Sequence, residues 1–166
     1  AQFEVVVGNL EELNGETPSW LIPTTILTTV QGTKIGVTAL TAEYTMSYKQ
    51  LGWQVTNAFE ALNKQIIELK KQVDIVICMS HLGIHVDEEM ANQFPDIDII
   101  FGEHTHHIFH EGKVVNNSLL AAAGKYGFYV GHVTIDFDLK EKLIVKKQAL
   151  LYDTNELKEC SHEDEF

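Results

Sequence analysis

The sequence predicts a mixed α/β domain, on three observations. A long amphipathic helix pattern covers about Asn57 to Lys71. Two short, continuously apolar strand patterns follow it, Ile75 to Ser80 and Asp98 to Phe101, with a short helix pattern between them. Beyond His110 the chain reads as β-strands joined by turns. Apolar runs with polar ends are the signature of strands buried on both faces, and a strand–helix–strand crossover places its two strands parallel in one sheet.

Each element has a local reason. Phe3 to Val7 reads as a short strand ending at Gly8-Asn9, and the polar stretch Glu11 to Ser19 reads as a loop. Thr24 to Val30 and Lys34 to Leu40 are β-branched runs around the turn Gln31-Gly32-Thr33, a predicted hairpin. Ala42 to Gly52 is irregular, with Tyr44 and Tyr48 in it. In the long helix, Val55, Phe59, Leu62, Ile66 and Leu69 form one apolar face. Asn57 with Glu60 resembles a capping box, and Lys70 and Lys71 suit the negative C-terminal end. The second helix is expected over Asp87 to Phe94, capped by Asp87 and stopped near Pro95. Ile108 to His110 and Lys113 to Val115 are expected to pair around Glu111-Gly112. Leu119 to Ala123 is a small-residue strand, and Val130 to Phe137 pairs with Leu143 to Leu151 in a last hairpin. The segment 153–166 is expected to be an acidic, frayed tail or linker after a domain spanning 1–152.

Composition narrows the function. The chain has 166 residues, 45% of them apolar, which suffices for one packed core. No apolar run approaches the roughly twenty residues of a membrane-spanning helix, so no membrane partner is expected. The net charge is −12 and there is no arginine. Such a chain repels a polyanion, which argues against a nucleic-acid polymer as partner. Phosphate, if handled here, needs neutralisation by something other than arginine, and a metal is the obvious candidate. Cys78 lies in an apolar strand and Cys160 in the acidic tail, so no disulfide framework is expected.

The chemistry gathers in one stretch. Six of the eight histidines lie between His81 and His110. Ligands of open α/β sheets bind beyond the C-terminal strand ends. His81 and His104 each follow such an end, and His106 stands two residues further along the same loop. Converging imidazoles suit Zn, Mn, Fe or Ni. Gly83 and Gly102 permit close backbone approach beside these ligands. His85, His107 and His110 lack the strand-end placement and read as surface or supporting residues; His132 reads as a packed or edge residue of a strand. Among carboxylates, Asp74 lies at the wrong end of its strand, which leaves Glu103 as the plausible local one.

Two blocks carry a resemblance. Val73-Asp74-Ile75-Val76-Ile77-Cys78-Met79-Ser80-His81-Leu82-Gly83 is similar to the "DxxIxLSHLG" block of calcineurin-like metallophosphoesterases. Asp96-Ile97-Asp98-Ile99-Ile100-Phe101-Gly102-Glu103-His104-Thr105-His106 is similar to their "DxIxGGHTH" block, with Glu103 in place of the second glycine. Lys34 to Thr41 and Ala122 to His132 resemble further segments of the 5'-nucleotidase/2',3'-cyclic phosphodiesterase branch. The resemblance implies a partial four-layer α/β/β/α sandwich, the second half of a metallophosphoesterase domain. It implies two divalent metal ions (Mn, Zn, Fe or similar) in the complete domain, with His81 and His104 on one and His106 on the other. Gly83, Gly102 and Glu103 would lie behind these ligands. The family's earlier ligand blocks and its leaving-group histidine have no counterpart here, so no catalytic residue is assigned and the chain alone is expected to be inactive. The implied partners are a phosphoester substrate, in this branch a nucleotide, and the missing N-terminal half of the domain, with dimerisation through an exposed sheet edge as a further expectation. A cytoplasmic location is preferred, with secretion or a periplasmic location left open. The alternative is a non-catalytic half-domain that binds metal weakly through its histidines.

Overall fold

The computed structural model describes residues 3–157. Of the expected 153–166 tail, Asp153 ends the last strand and Thr154–Glu156 form a short helical turn, while the part beyond residue 157, with Cys160, lies outside the described residues.

Ten strands and three helices are present among the described residues: β1 Leu10–Glu12, β2 Thr24–Thr28, β3 Lys34–Thr41, α1 Thr45–Gln50, β4 Trp53–Val55, α2 Ala58–Leu69, β5 Ile75–His81, α3 Ile84–Gln93, β6 Ile99–Gly102, β7 Lys113–Val115, β8 Ser118–Ala121, β9 Tyr129–Asp138 and β10 Leu143–Asp153. Six strands form the central sheet in the order β2-β3-β5-β6-β8-β7. β3, β5, β6 and β8 run parallel, and the edge strands β2 and β7 pair antiparallel to their neighbours. β9 and β10 make a separate antiparallel hairpin.

The α2 segment folds as its periodicity predicts from Phe59 onward, whereas Val55, expected on the same face, lies in β4. Leu62, Ile66 and Leu69 are buried on one face, against Leu40, Val76, Cys78, Ile100 and Leu120 of the sheet and Met90 of α3. Gly36 is what lets this helix approach: a Cβ there would lie 2.9 Å from Leu69 Cδ2. Asn57 starts α2 with its Oδ1 accepting from Phe59 N and Glu60 N, both at 3.1 Å. Asn57→Ala is expected to cost about 1 kcal/mol, read as a lower urea midpoint with an unchanged slope.

The other face of the sheet is covered only in part. Ile99, Leu119 and Ala149 are buried together, with Ile77, Val133 and Ile135 against them, so the β9–β10 hairpin packs over one end of the sheet. Nearer the C-terminal strand ends Met79 is 52% exposed and Phe101 37%. The described residues thus stack as helices, six-stranded sheet and hairpin. The fourth layer of the expected sandwich is not formed among them, and Val145 and Leu150 stand exposed on the hairpin.

Several local expectations are corrected. Phe3 to Val7 forms no strand of its own and makes only a single bridge, Val6 to Ile22. Lys113–Val115 pairs with Ser118–Ala121 across Asn116-Asn117, not with 108–110 across Glu111-Gly112. Asn116 adopts a positive φ of 51°, which a two-residue hairpin turn requires. The 11–19 loop begins inside β1, which pairs with β4. The second helix starts at Ile84, so Asp87 is inside it and does not cap it.

Candidate metal centre

β5 and β6 lie side by side and parallel, with Ser80 opposite Gly102. Their C-terminal ends therefore release His81 and the 103–107 loop at the same edge. Glu103 N donates to Ser80 O at 3.0 Å, which holds the start of the loop against β5. His104 then turns back at a φ of 69°. That left-handed conformation is uncommon for a residue with a side chain and clusters at functional sites. As a result His104 Nδ1 faces His81 Nε2 at 3.3 Å, with ring centroids 4.9 Å apart.

This separation bears on metal binding. Two nitrogens each about 2.1 Å from one tetrahedral metal lie about 3.4 Å apart. The pair thus fits two corners of a coordination sphere. His106, also at positive φ (56°), is exposed further along the loop and is not joined to that pair. No group of three or more His, Cys, Asp or Glu side chains among the described residues is arranged to hold a metal ion. Among the described residues, His81 and His104 are the two such donors whose ring nitrogens face each other at this spacing.

The two site glycines have distinct reasons. Gly83 (φ 97°) packs against the loop: a Cβ would lie 3.0 Å from Thr105 Cγ2 and 3.6 Å from His104 Cδ2. Ile84 N donates to Thr105 Oγ1 at 3.1 Å, tying the start of α3 to the same loop. At Gly102 a Cβ would meet Asp87 Oδ2 at 2.5 Å. Asp87 is 1% exposed and accepts a hydrogen bond from Ser80 Oγ. Burial pushes its carboxyl up to about 6, against the Ser80 hydrogen bond, which lowers it, while the neighbouring Glu88 raises it further. Asp87 is thus a bracket behind β5 and β6, not the helix cap its sequence position suggests.

The remaining histidines are not gathered with the pair. His85 is exposed on α3, His107 Nδ1 meets Thr105 Oγ1 at 2.9 Å, His110 stacks edge-on against Tyr129, and His132 is exposed on β9 beside Tyr152. The Glu103 side chain is exposed. Between the uncovered sheet end and the hairpin runs a cavity of about 580 Å³, lined by Met79, His81, Phe101, Glu103, His132 and Leu151 among others. One partner escaped sequence reasoning altogether: Tyr44, whose hydroxyl lies 3.0 Å from His104 Nε2. The two residues are 60 positions apart, and no local pattern links them.

No family model matches the chain. Individual proteins do. It is 44% identical over 149 residues to the uncharacterized metallophosphoesterase YunD of Bacillus subtilis, covering 90% of this chain and 32% of that protein. It is 34% identical over 132 residues to the trifunctional nucleotide phosphoesterase YfkN of the same organism, covering 75% of this chain and 9% of that protein. The chain therefore spans about a third of the first relative and a tenth of the second. A putative 5'-nucleotidase from Staphylococcus aureus superposes with a TM-score of 0.77 at 20% identity, over 91% of this chain and 32% of that one, a likeness of fold. By sequence and by fold, this chain belongs to the calcineurin-like metallophosphoesterases, in the branch that includes the 5'-nucleotidases.

Proposed function

We propose that this chain supplies part of a two-metal centre that hydrolyses nucleotide phosphomonoesters or cyclic phosphodiesters. In this reading His81 and His104 share one divalent metal (Mn, Zn or Fe) and His106 reaches the second. The observation that carries it is the 3.3 Å approach of His81 Nε2 and His104 Nδ1 at adjacent parallel strand ends. A divalent metal bound there would lower the pKa of water and neutralise phosphoryl charge, a task no arginine of this chain can share.

The protein's own part is positional. β5 and β6 fix the spacing of the imidazoles, Gly83 and Thr105 hold the loop against α3, and Asp87 holds the strand ends. The carboxylate ligands and the leaving-group acid come, in this proposal, from residues outside the chain. Relatives about three times as long, together with the apolar sheet surface at Met79 and Phe101, support that assignment.

Calorimetric titration of the metal-free chain with Mn²⁺ tests the reading. One weak site is expected, lost in both His81→Ala and His104→Ala. Binding that survives both substitutions would overturn it. Two tight sites would show that carboxylates of this chain complete the centre, against the proposed division.

A further inference from the structure

We propose that Tyr44 is a positioning residue for His104, fixing which ring nitrogen is free to bind metal. The proposal rests on the metal reading of the His81–His104 pair. A neutral imidazole has one N–H and one free lone pair. A ligating histidine must present the lone pair to the metal, and the hydrogen bond at its other nitrogen decides which one that is. His104 has both nitrogens engaged. Nδ1 faces His81 Nε2 at 3.3 Å and Nε2 faces the Tyr44 hydroxyl at 3.0 Å. Tyr44 Oη can accept from Nε2–H or donate to Nε2, and the proposal assigns the accepting role: Nε2–H then donates to Tyr44 Oη, which leaves the Nδ1 lone pair facing His81 Nε2.

Tyr44 is held in place independently of the histidine loop. It follows β3, whose last residue Thr41 lies opposite His81 in the sheet. Tyr44 starts α1, and its side chain makes no capping bond there. One turn on, Tyr48 Oη lies 2.9 Å from Thr41 Oγ1, so α1 is fastened to the end of β3. The Tyr44 and His104 rings lie tilted at 59° with centroids 5.8 Å apart. The His104 ring has two polar contacts, one at each nitrogen. Tyr44 provides one of them from a third strand end, which makes β3, β5 and β6 all contributors to the pair.

Tyr44→Phe removes only the hydroxyl, at a half-exposed position where folding is not at stake. Two readouts decide the matter. In metal-free protein, ¹⁵N imidazole spectra are expected to show His104 as the Nε2–H form in the wild type and a mixture of tautomers in Tyr44→Phe. The Kd for Mn²⁺ is expected to weaken roughly 10- to 100-fold in the variant. A His104 spectrum or a Mn²⁺ Kd that is unchanged by the substitution overturns the proposal. If the wild type binds no Mn²⁺, the metal reading fails, and the tautomer spectrum alone still decides whether Tyr44 sets the ring.

Discussion

Leu62→Ala is expected to lower the unfolding free energy by about 2–5 kcal/mol, with no change in metal affinity. Leu62 is completely buried and lies at the centre of the α2 face, in one cluster with Leu40, Val76, Ile100 and Leu120 of the sheet. α2 is the crossover between β3 and β5, so its apolar face determines how these two parallel strands are covered. The neighbours of Leu62 are strand side chains and helices in close packing. They cannot collapse fully into the space left by three lost carbons, so a cavity cost adds to the lost transfer energy. His81 and His104 lie at the strand ends and are not members of this cluster. Urea unfolding reads the stability change, and Mn²⁺ titration of the folded variant reads the site. A Kd for Mn²⁺ that moved with stability would show that the helix layer and the histidine pair are mechanically coupled.

The sequence is legible where one local signal dominates. The α2 face from Phe59 to Leu69 and the Asn57 cap are read because apolar spacing and cap chemistry agree, while Val55 falls in β4 and Glu60 takes part in the cap only through its backbone N–H. The β5–α3–β6 unit is read because two apolar runs flank a polar helix, and that unit alone is enough to bring His81 and His104 to one edge. The β9–β10 hairpin follows from its two long β-branched runs around the polar turn 139–142. Where signals compete, local reasoning picks the stronger and is wrong. Glu111-Gly112 looks like a better turn than Asn116-Asn117, yet β7 and β8 pair across the asparagines. β1 and β4 are three residues each and carry no alternation, so their pairing has no signature in either segment.

The site shows the same division. His81 and His104 are legible because topology fixes strand ends. Tyr44 is not, because its partner is reached only through the sheet order that places β3 beside β5. Asp87 is misread as a cap because an acidic residue near a helix start is locally sufficient as an explanation. The positive φ of Gly83 begins the helix three residues earlier and carries Asp87 inward.

Asp87 carries the last prediction: Asp87→Asn is expected to remove a pH-dependent loss of stability of up to about 3 kcal/mol between about pH 4 and pH 7. The carboxyl moves from its ordinary 3.8 to about 6 in the folded protein, chiefly through burial. Below the lower value it is protonated in both states and burial of the ion costs nothing. As pH rises toward 6 the unfolded chain ionises first, so the unfolded state gains and the folded state loses stability. Above 6 both are ionised and the loss is complete. Asparagine keeps an oxygen to accept from Ser80 Oγ and has no charge to bury, so its stability should lack this fall. Other carboxylates titrate in the same range in both proteins, and the difference between the two curves isolates Asp87. Urea unfolding at several pH values measures that difference; parallel curves would show that the buried carboxyl is not held in the neutral form. A carboxylate that weakens the fold at neutral pH is unexpected in a position with only a packing role, where an apolar residue would serve better. Its location explains it: Asp87 holds Ser80, next to His81, and packs on Gly102, two residues before His104. The stability lost there is the cost of fixing two strand ends behind the imidazole pair.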